Sequence, residues 1–282
     1  MTKATCPFRS WLSATWRVIV LTAWLAGAVL LDAVHSAEKK YWDLSPYRIQ
    51  LHIAVDCSAK PRATLGEELL EAIQQRVQAT IFPLWSTDFS LAEGPYRNQL
   101  LSGLQHLDNR FIDEQASRFD KQLYLCVRAS ATGYALQSRE YDCYLHRWGP
   151  MLSQNIRQEI ALPERCYDLL RATFSPLATV RALPDDKLAV VLHFKGSDLP
   201  RRTKENLFVH PGDVYQPLLV RTSSTGETGP QDVREVPWTY LTLTESQQAD
   251  WLSQVHSGIR TPFGLRRRGR VEHMAIAICG KP

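Results

Sequence analysis

The chain lacks the signatures of the commonest enzyme classes. No H-E-x-x-H occurs: Glu272-His273 has no second histidine at helical spacing, and His52, His106, His146, His193, His210, His256 and His273 are scattered. A helical zinc hydrolase is therefore unsupported. No G-x-S-x-G elbow is present; Gly196-Ser197-Asp198 matches no nucleophile motif, and His193 beside it reads as a structural residue in a strand. Neither G-x-x-x-x-G-K-[ST] nor G-x-G-x-x-G occurs, which argues against a nucleotide enzyme. No C-x-x-C occurs, so neither a thioredoxin-type site nor a zinc ribbon is indicated. No cofactor and no metal-ligand set is expected, and no catalytic residue is assigned by motif.

Charge is also sparse. The formal net charge is +4, and removing residues 1–36 takes away Lys3, Arg9, Arg17 and Asp32, leaving +2 on 246 residues. That balance does not argue for nucleic acid or anionic lipid. One dense basic run, Arg266-Arg267-Arg268-Gly269-Arg270, could hold an anionic partner, or simply form a solvated turn before an edge strand.

What is present begins at the amino terminus. Lys3, Arg9 and Arg17 precede Val18 to Leu31, a 14-residue apolar run, and Ala33-Val34-His35-Ser36-Ala37 offers small residues for a peptidase. This is the layout of a secretory signal peptide over residues 1–37, with cleavage after Ser36 or Ala37. The rival reading, a retained anchor, needs about 20 apolar residues, and Arg17 and Asp32 bracket the run too tightly. No cysteine follows closely, against a lipoprotein; the next is Cys57. The expected location is periplasmic or extracellular, with no transmembrane span in the mature chain.

Five cysteines follow the leader: Cys57, Cys126, Cys143, Cys166 and Cys279. An odd number cannot all pair within one chain. Cys126, in the apolar run LYLCVRA, reads as a buried free thiol. Cys143 and Cys166 are the pair to test first; the sequence does not fix the pattern.

Period-two alternation predicts a strand at 49–55. Thr64 and Glu67 form a T-x-x-E capping box before Leu65, Leu69, Ile73 and Val77, an amphipathic helix ending before Pro83. A strand at 86–91 follows, then partly helical sequence over 95–119. Strands at 122–129 and 134–144 form a hairpin turning at Gly133. Pro163 opens a helix with Cys166, Leu169, Leu170 and Phe174 inward. A second hairpin spans 178–194. The expected organisation is a mixed α/β domain over 46–195, around one sheet, and a small β-rich, barrel-like domain over 207–282 that could be truncated, with residues 196–206 as linker. Within the second, a single strand is predicted at 233–243 and a short helix at 245–256. Trp238 and Tyr240 are expected to pack inside or across a barrel face.

Paired carboxylates could serve glycoside hydrolysis. Asp56, Glu140 and Asp142 are the best placed, near strand ends. Asp56 opens a loop after a strand, where ligands bind in open sheets, although aspartate also starts turns for local reasons. Glu140 and Asp142 could equally be cross-strand ion pairs.

Two segments carry a resemblance. Tyr41-Trp42-x-Leu44-Ser45-Pro46-Tyr47-Arg48-Ile49 with Ala54-Val55-Asp56, and Pro211-Gly212-Asp213-Val214 with Gln216-Pro217 and Val236-Pro237-Trp238-Thr239, resemble an uncharacterised exported, cell-envelope protein family of planctomycete-type bacteria. The family has no assigned activity, so no functional residues carry over, and its members run longer at the carboxyl terminus. More distantly, the opening strand-loop-helix-strand resembles the small α/β envelope domain at the amino terminus of TolB, and the Pro-Gly-Asp turn resembles those of SH3-like barrels. The expectation is a non-catalytic envelope or periplasmic protein binding a protein or polymer partner. The alternative is an exported hydrolase with a carboxylate-based site.

Overall fold

The computed structural model describes residues 42–59, 62–112, 117–183, 186, 188–200, 208–221, 232–247, 249–263 and 271–278. The leader, Arg266 to Arg270 and Cys279 lie outside the described residues. Residues up to Leu44 form one unit, of which Trp42–Leu44 is a helical turn; Ser45–Pro282 is the other.

In the second unit the first sheet grows from β1 (Tyr47–Asp56), which pairs in parallel with β2 (Trp85–Leu91) on one side and β3 (Lys121–Ser130) on the other. A parallel neighbour requires a crossover. Helix α1 (Leu65–Thr80) supplies the first and α2 (Gly94–Ser102) the second. β3 then turns directly into antiparallel β4 (Gly133–Asp142), which also pairs with β5 (Arg147–Trp148) and β6 (Leu152–Ile156). Helix α3 (Leu162–Thr173) closes this half.

The central position of β1 explains its burial on both faces. Ile49, Leu51 and Ile53 point to one face and are at most 1% exposed. Gly66 of α1 lies against Leu91, the register partner of Ile53, which puts α1 on that face. Phe174, at the end of α3, meets the Tyr47 ring edge-on at 5.0 Å on the same side. The opposite face carries Ala54, Tyr124 and Cys126, covered by Leu100 and Leu104 from α2 and the turn after it. Helices thus cover both faces of the sheet.

Thr64 does precede α1, but the expected capping box does not form. Its hydroxyl pairs with Glu68 Oε1 at 2.7 Å, because its backbone is already helical and turns the side chain along the first turn.

The second sheet is a closed barrel. β7 (Leu177–Ala182), β8 (Ala189–Phe194), β9 (Val214–Arg221), β11 (Thr239–Gln247), β12 (Asp250–Ser257) and β13 (Val271–Ala277) follow one another around it in the order β9-β11-β12-β8-β7-β13, and β13 returns to β9. All six junctions are antiparallel, and short β10 (Val233–Glu235) adds to β9. Closure removes the exposed edges that a sheet of this size would present. The fold class is mixed helix and sheet, as expected, with a six-strand barrel as its second half.

Three expectations are corrected here. The hairpin of β7 and β8, expected with the first sheet, pairs with β12 and β13, so sheet membership changes just after α3. The expected helix over 245–256 is instead the end of β11 (to Gln247) and most of β12 (from Asp250): Trp251, Ser253 and Val255 are buried while Leu252, Gln254 and His256 alternate outward, a period of two. Residues 233–243 are two strands, because Val236-Pro237-Trp238 breaks the ladder between β10 and β11.

Candidate functional site

The β3–β4 hairpin places the first candidate cluster. Only Ala131 and Thr132 separate the strands, and Gly133 (φ 154°) allows the tight return: a Cβ there would sit 2.0 Å from the Ile156 carbonyl oxygen. This fixes the register, with Leu123 opposite Glu140 and Lys121 opposite Asp142. Glu140 and Asp142 therefore share a face, and Lys121 joins them. Lys121 Nζ donates to Glu140 Oε1 at 2.6 Å and to Asp142 Oδ2 at 2.8 Å, with all three residues about 1% exposed. The other oxygens are also taken: Glu140 Oε2 accepts from the Ser175 N–H at 2.9 Å and Asp142 Oδ1 from the Leu145 N–H at 2.7 Å.

Burial pushes the Glu140 carboxyl up to about 7, helped by the Asp142 charge and opposed by Lys121. Burial presses the Lys121 ammonium the other way, but the charges of Asp142 and Glu140 outweigh it and raise its pKa. The cluster edges a cavity of about 290 Å³, lined further by Trp148, Gln216, Glu235 and Ile276. A neighbouring cavity of about 250 Å³ shares Pro150, Ser175 and Ala277 with it and is bounded by Tyr215 and Phe208.

The structure does not bring Asp56 to this cluster. Asp56 pairs with Arg128, on the Tyr124 face, whereas Glu140 pairs with Leu123 on the other. It also lies five register steps away, roughly 17 Å along the strands. Its Oδ1 accepts from the Ser58 N–H at 3.0 Å, and that bond lowers its pKa. Asp56 is a turn-forming residue here.

His193 is held by Asp250, Nδ1 to Oδ1 at 2.6 Å, and Arg181 takes the other oxygen at 3.0 Å. The three tie adjacent barrel strands together. Cys143 and Cys166 do not pair: with Cys57 and Cys126 they are free, and all but Cys57 are buried. Among the described residues, no group of three or more His, Cys, Asp or Glu side chains could hold a metal ion, and no helix is long and apolar enough to cross a membrane.

A second arrangement lies on the barrel surface. Trp238 is 84% exposed and Tyr240 44%: of the two expected placements, inside or across a barrel face, neither packs inside, and Tyr240 packs across the outer face. The reason is parity. Leu241 and Leu243 fill the barrel, so residues two and four before Thr242 face outward on β11 and its approach. Tyr240 stands opposite His256 of β12, and their rings stack at 4.5 Å, 9° from parallel. Trp238 has a φ of 53°, and its carbonyl accepts from the Gly258 N–H at 2.9 Å. Thr239 bonds to the Pro237 carbonyl at 3.0 Å and to Ser257 Oγ at 2.8 Å, which fixes the turn.

Sequence reasoning missed Lys121 and the outward direction of Trp238. A lysine within an otherwise apolar strand, opposite an acidic strand end, was the available signal for the first. Alternation counted back from Leu241 was the signal for the second.

Comparison with protein-family models and with curated proteins returns no match. Among solved structures, the chain is similar to TolB from Acinetobacter baumannii at 9% identity and a TM-score of 0.29, over 77% of this chain and 61% of that one. It is also similar to a hypothetical protein from Chlamydia trachomatis at 9% identity and a TM-score of 0.28, over 39% of this chain and 73% of that one. The chain thus spans about three-fifths of the length of the TolB structure.

Proposed function

We propose that this chain is an exported, non-catalytic envelope or periplasmic protein that binds a protein or polymer partner through its barrel surface. The observation that carries the reading is the ledge of exposed Trp238 and Tyr240, the latter stacked on half-buried His256. Large aromatic side chains left in water cost free energy that a bound partner recovers. The signal-like leader supports export. The order β1–α1–β2 supports an analogy to the small α/β domain of TolB, and the antiparallel closure supports one to SH3-like barrels. Both are analogies of fold and carry no function.

The test is crosslinking and affinity capture from the native cell, comparing the wild-type chain with Trp238→Ala. Partners from the envelope that are lost with the variant support the reading. Recovery of cytosolic proteins only overturns it.

One observation favours a second reading, an exported hydrolase: Glu140 titrates near 7, in the range of a general acid, and edges a cavity with Asp142. Against it, each of the four carboxylate oxygens already has a protein partner. Hydrolysis of glycan, ester or peptide substrates by the purified chain, abolished by Glu140→Gln, would establish this reading and displace the first.

A further inference from the structure

We infer that the outer face of the β11–β12 hairpin is a stacking platform for a neutral glycan chain. The inference rests on the binding reading above and names its ligand class.

Trp238, in the turn just before β11, and Tyr240, on that strand, are two residues apart in the chain and both exposed. The Tyr240 ring and the Trp238 backbone are each held in place. The parallel stack on His256 fixes the plane of Tyr240. Trp238 is anchored by its carbonyl bond from Gly258, and a Cβ at Gly258 would lie 3.4 Å from the Trp238 Cβ. A φ of 53° is uncommon for a residue with a side chain and costs free energy to hold. The fold therefore keeps an exposed indole on a fixed backbone position, against both solvation and backbone preference.

The rest of the face selects the ligand. The next pair along the hairpin is Thr242 with Gln254, a hydroxyl and an amide on the same outer side as Tyr240 and His256. None of Trp238, Tyr240, Thr242 and Gln254 carries a formal charge. These four side chains offer a polyanion no charged group to bind its phosphates. Two or three aromatic side chains offer roughly 400 Å², about half of what one side of a stable protein interface buries. A pyranose matches this surface better. Its C–H face is apolar and lies flat on an aromatic ring, while its equatorial hydroxyls reach sideways to amide and hydroxyl groups.

The inference is tested by isothermal titration of the purified full chain with two neutral hexasaccharides, cellohexaose and chitohexaose. Saturable binding of at least one is expected. Trp238→Ala should weaken it by about tenfold or more, and Tyr240→Ala by several-fold, while Tyr240→Phe retains it. Unchanged thermal melting of the variants, expected for exposed side chains, separates lost binding from lost folding. Failure of both hexamers to saturate, or equal binding by Trp238→Ala, overturns the inference. The two readings fail differently. If the envelope capture is ledge-dependent but retains only protein and neither hexamer binds, the glycan inference falls and the binding reading stands. If neither capture nor titration responds to Trp238→Ala, both fall.

Discussion

Lys121 Nζ sits 2.6 Å from Glu140 Oε1, with both side chains 1% exposed. Asp142 stands 2.8 Å from the same nitrogen. Two buried carboxylates two residues apart on one strand face would repel each other without this cation. Replacing Lys121 by methionine keeps the volume of the side chain and removes the charge. The expected loss is about 3–5 kcal/mol, because the carboxylates are left buried without a counter-charge. Urea unfolding of Lys121→Met against wild type measures it. A loss below about 1 kcal/mol would mean that the carboxylates reach water.

The same cluster makes stability depend on pH. Glu140 titrates near 7 when folded against an ordinary value of 4.5. The folded state therefore holds this proton more tightly than the unfolded state does. Its contribution is fully present below about pH 4.5 and is lost as pH rises through about 7. Lys121, raised by its partners, stays charged across that window. Glu140→Gln cannot titrate. The stability of wild type minus that of Glu140→Gln should thus decline between pH 4.5 and 7 and level off above. Denaturant unfolding of both proteins at several pH values checks this; a rising difference would reverse the sign and refute the assignment.

Tyr47 joins the first strand to the entry of the barrel. Its hydroxyl accepts from the Leu177 N–H at 2.8 Å and donates to the Leu177 carbonyl at 3.2 Å. Burial, eased a little by the bond from the Leu177 N–H, raises its pKa well above 10, so it remains a neutral phenol. Nearby, Lys195 Nζ holds Asp120 at 2.7 Å. Tyr47→Phe strands the buried Leu177 N–H at the point where the chain passes from α3 into β7, while the Leu177 carbonyl keeps the Lys195 N–H at 3.1 Å. The expected cost is about 1–3 kcal/mol. Faster amide exchange at Leu177, measured by mass spectrometry or NMR, would locate the effect there rather than in the sheet core.

Much of the first half of the fold is readable from its residues because local pattern and final environment agree. β1 alternates, α1 repeats its apolar residues every four, and Gly133 marks the hairpin. The barrel is harder to read. Gln247-Gln248-Ala249-Asp250 has the composition of a helix or loop, and the strand character of β12 comes from partners on both sides, β8 and β11, that are distant in sequence or hidden behind a turn. Likewise β7 and β8 form a hairpin in either sheet; only the long-range pairing with β12 and β13 decides which. The carboxylate pair on β4 was visible as a spacing of two. That Asp56 belongs to the opposite face follows from the parallel register of β1 with β3, which alternation within one strand cannot supply.

The buried thiols give a final test that joins fold and compartment. Burial pushes Cys126 and Cys166 up to about 12 and Cys143 higher still, and Cys57, half-buried, is raised less. A thiol of pKa 12 is ionised at pH 8 to the extent of about one part in ten thousand, and the thiolate is the reactive form. In the native protein Cys126, Cys143 and Cys166 should therefore resist Ellman's reagent at pH 8, and Cys57 should react slowly. All should react at once in denaturant. Alkylation followed by peptide mapping assigns each site. If the chain is exported as proposed, it meets oxidants, and burial at these three positions would keep the thiols reduced without pairing them. Isolation of a Cys143–Cys166 disulfide from the native envelope would contradict that arrangement, since one thiol lies at the end of β4 and the other within α3, each buried against its own neighbours.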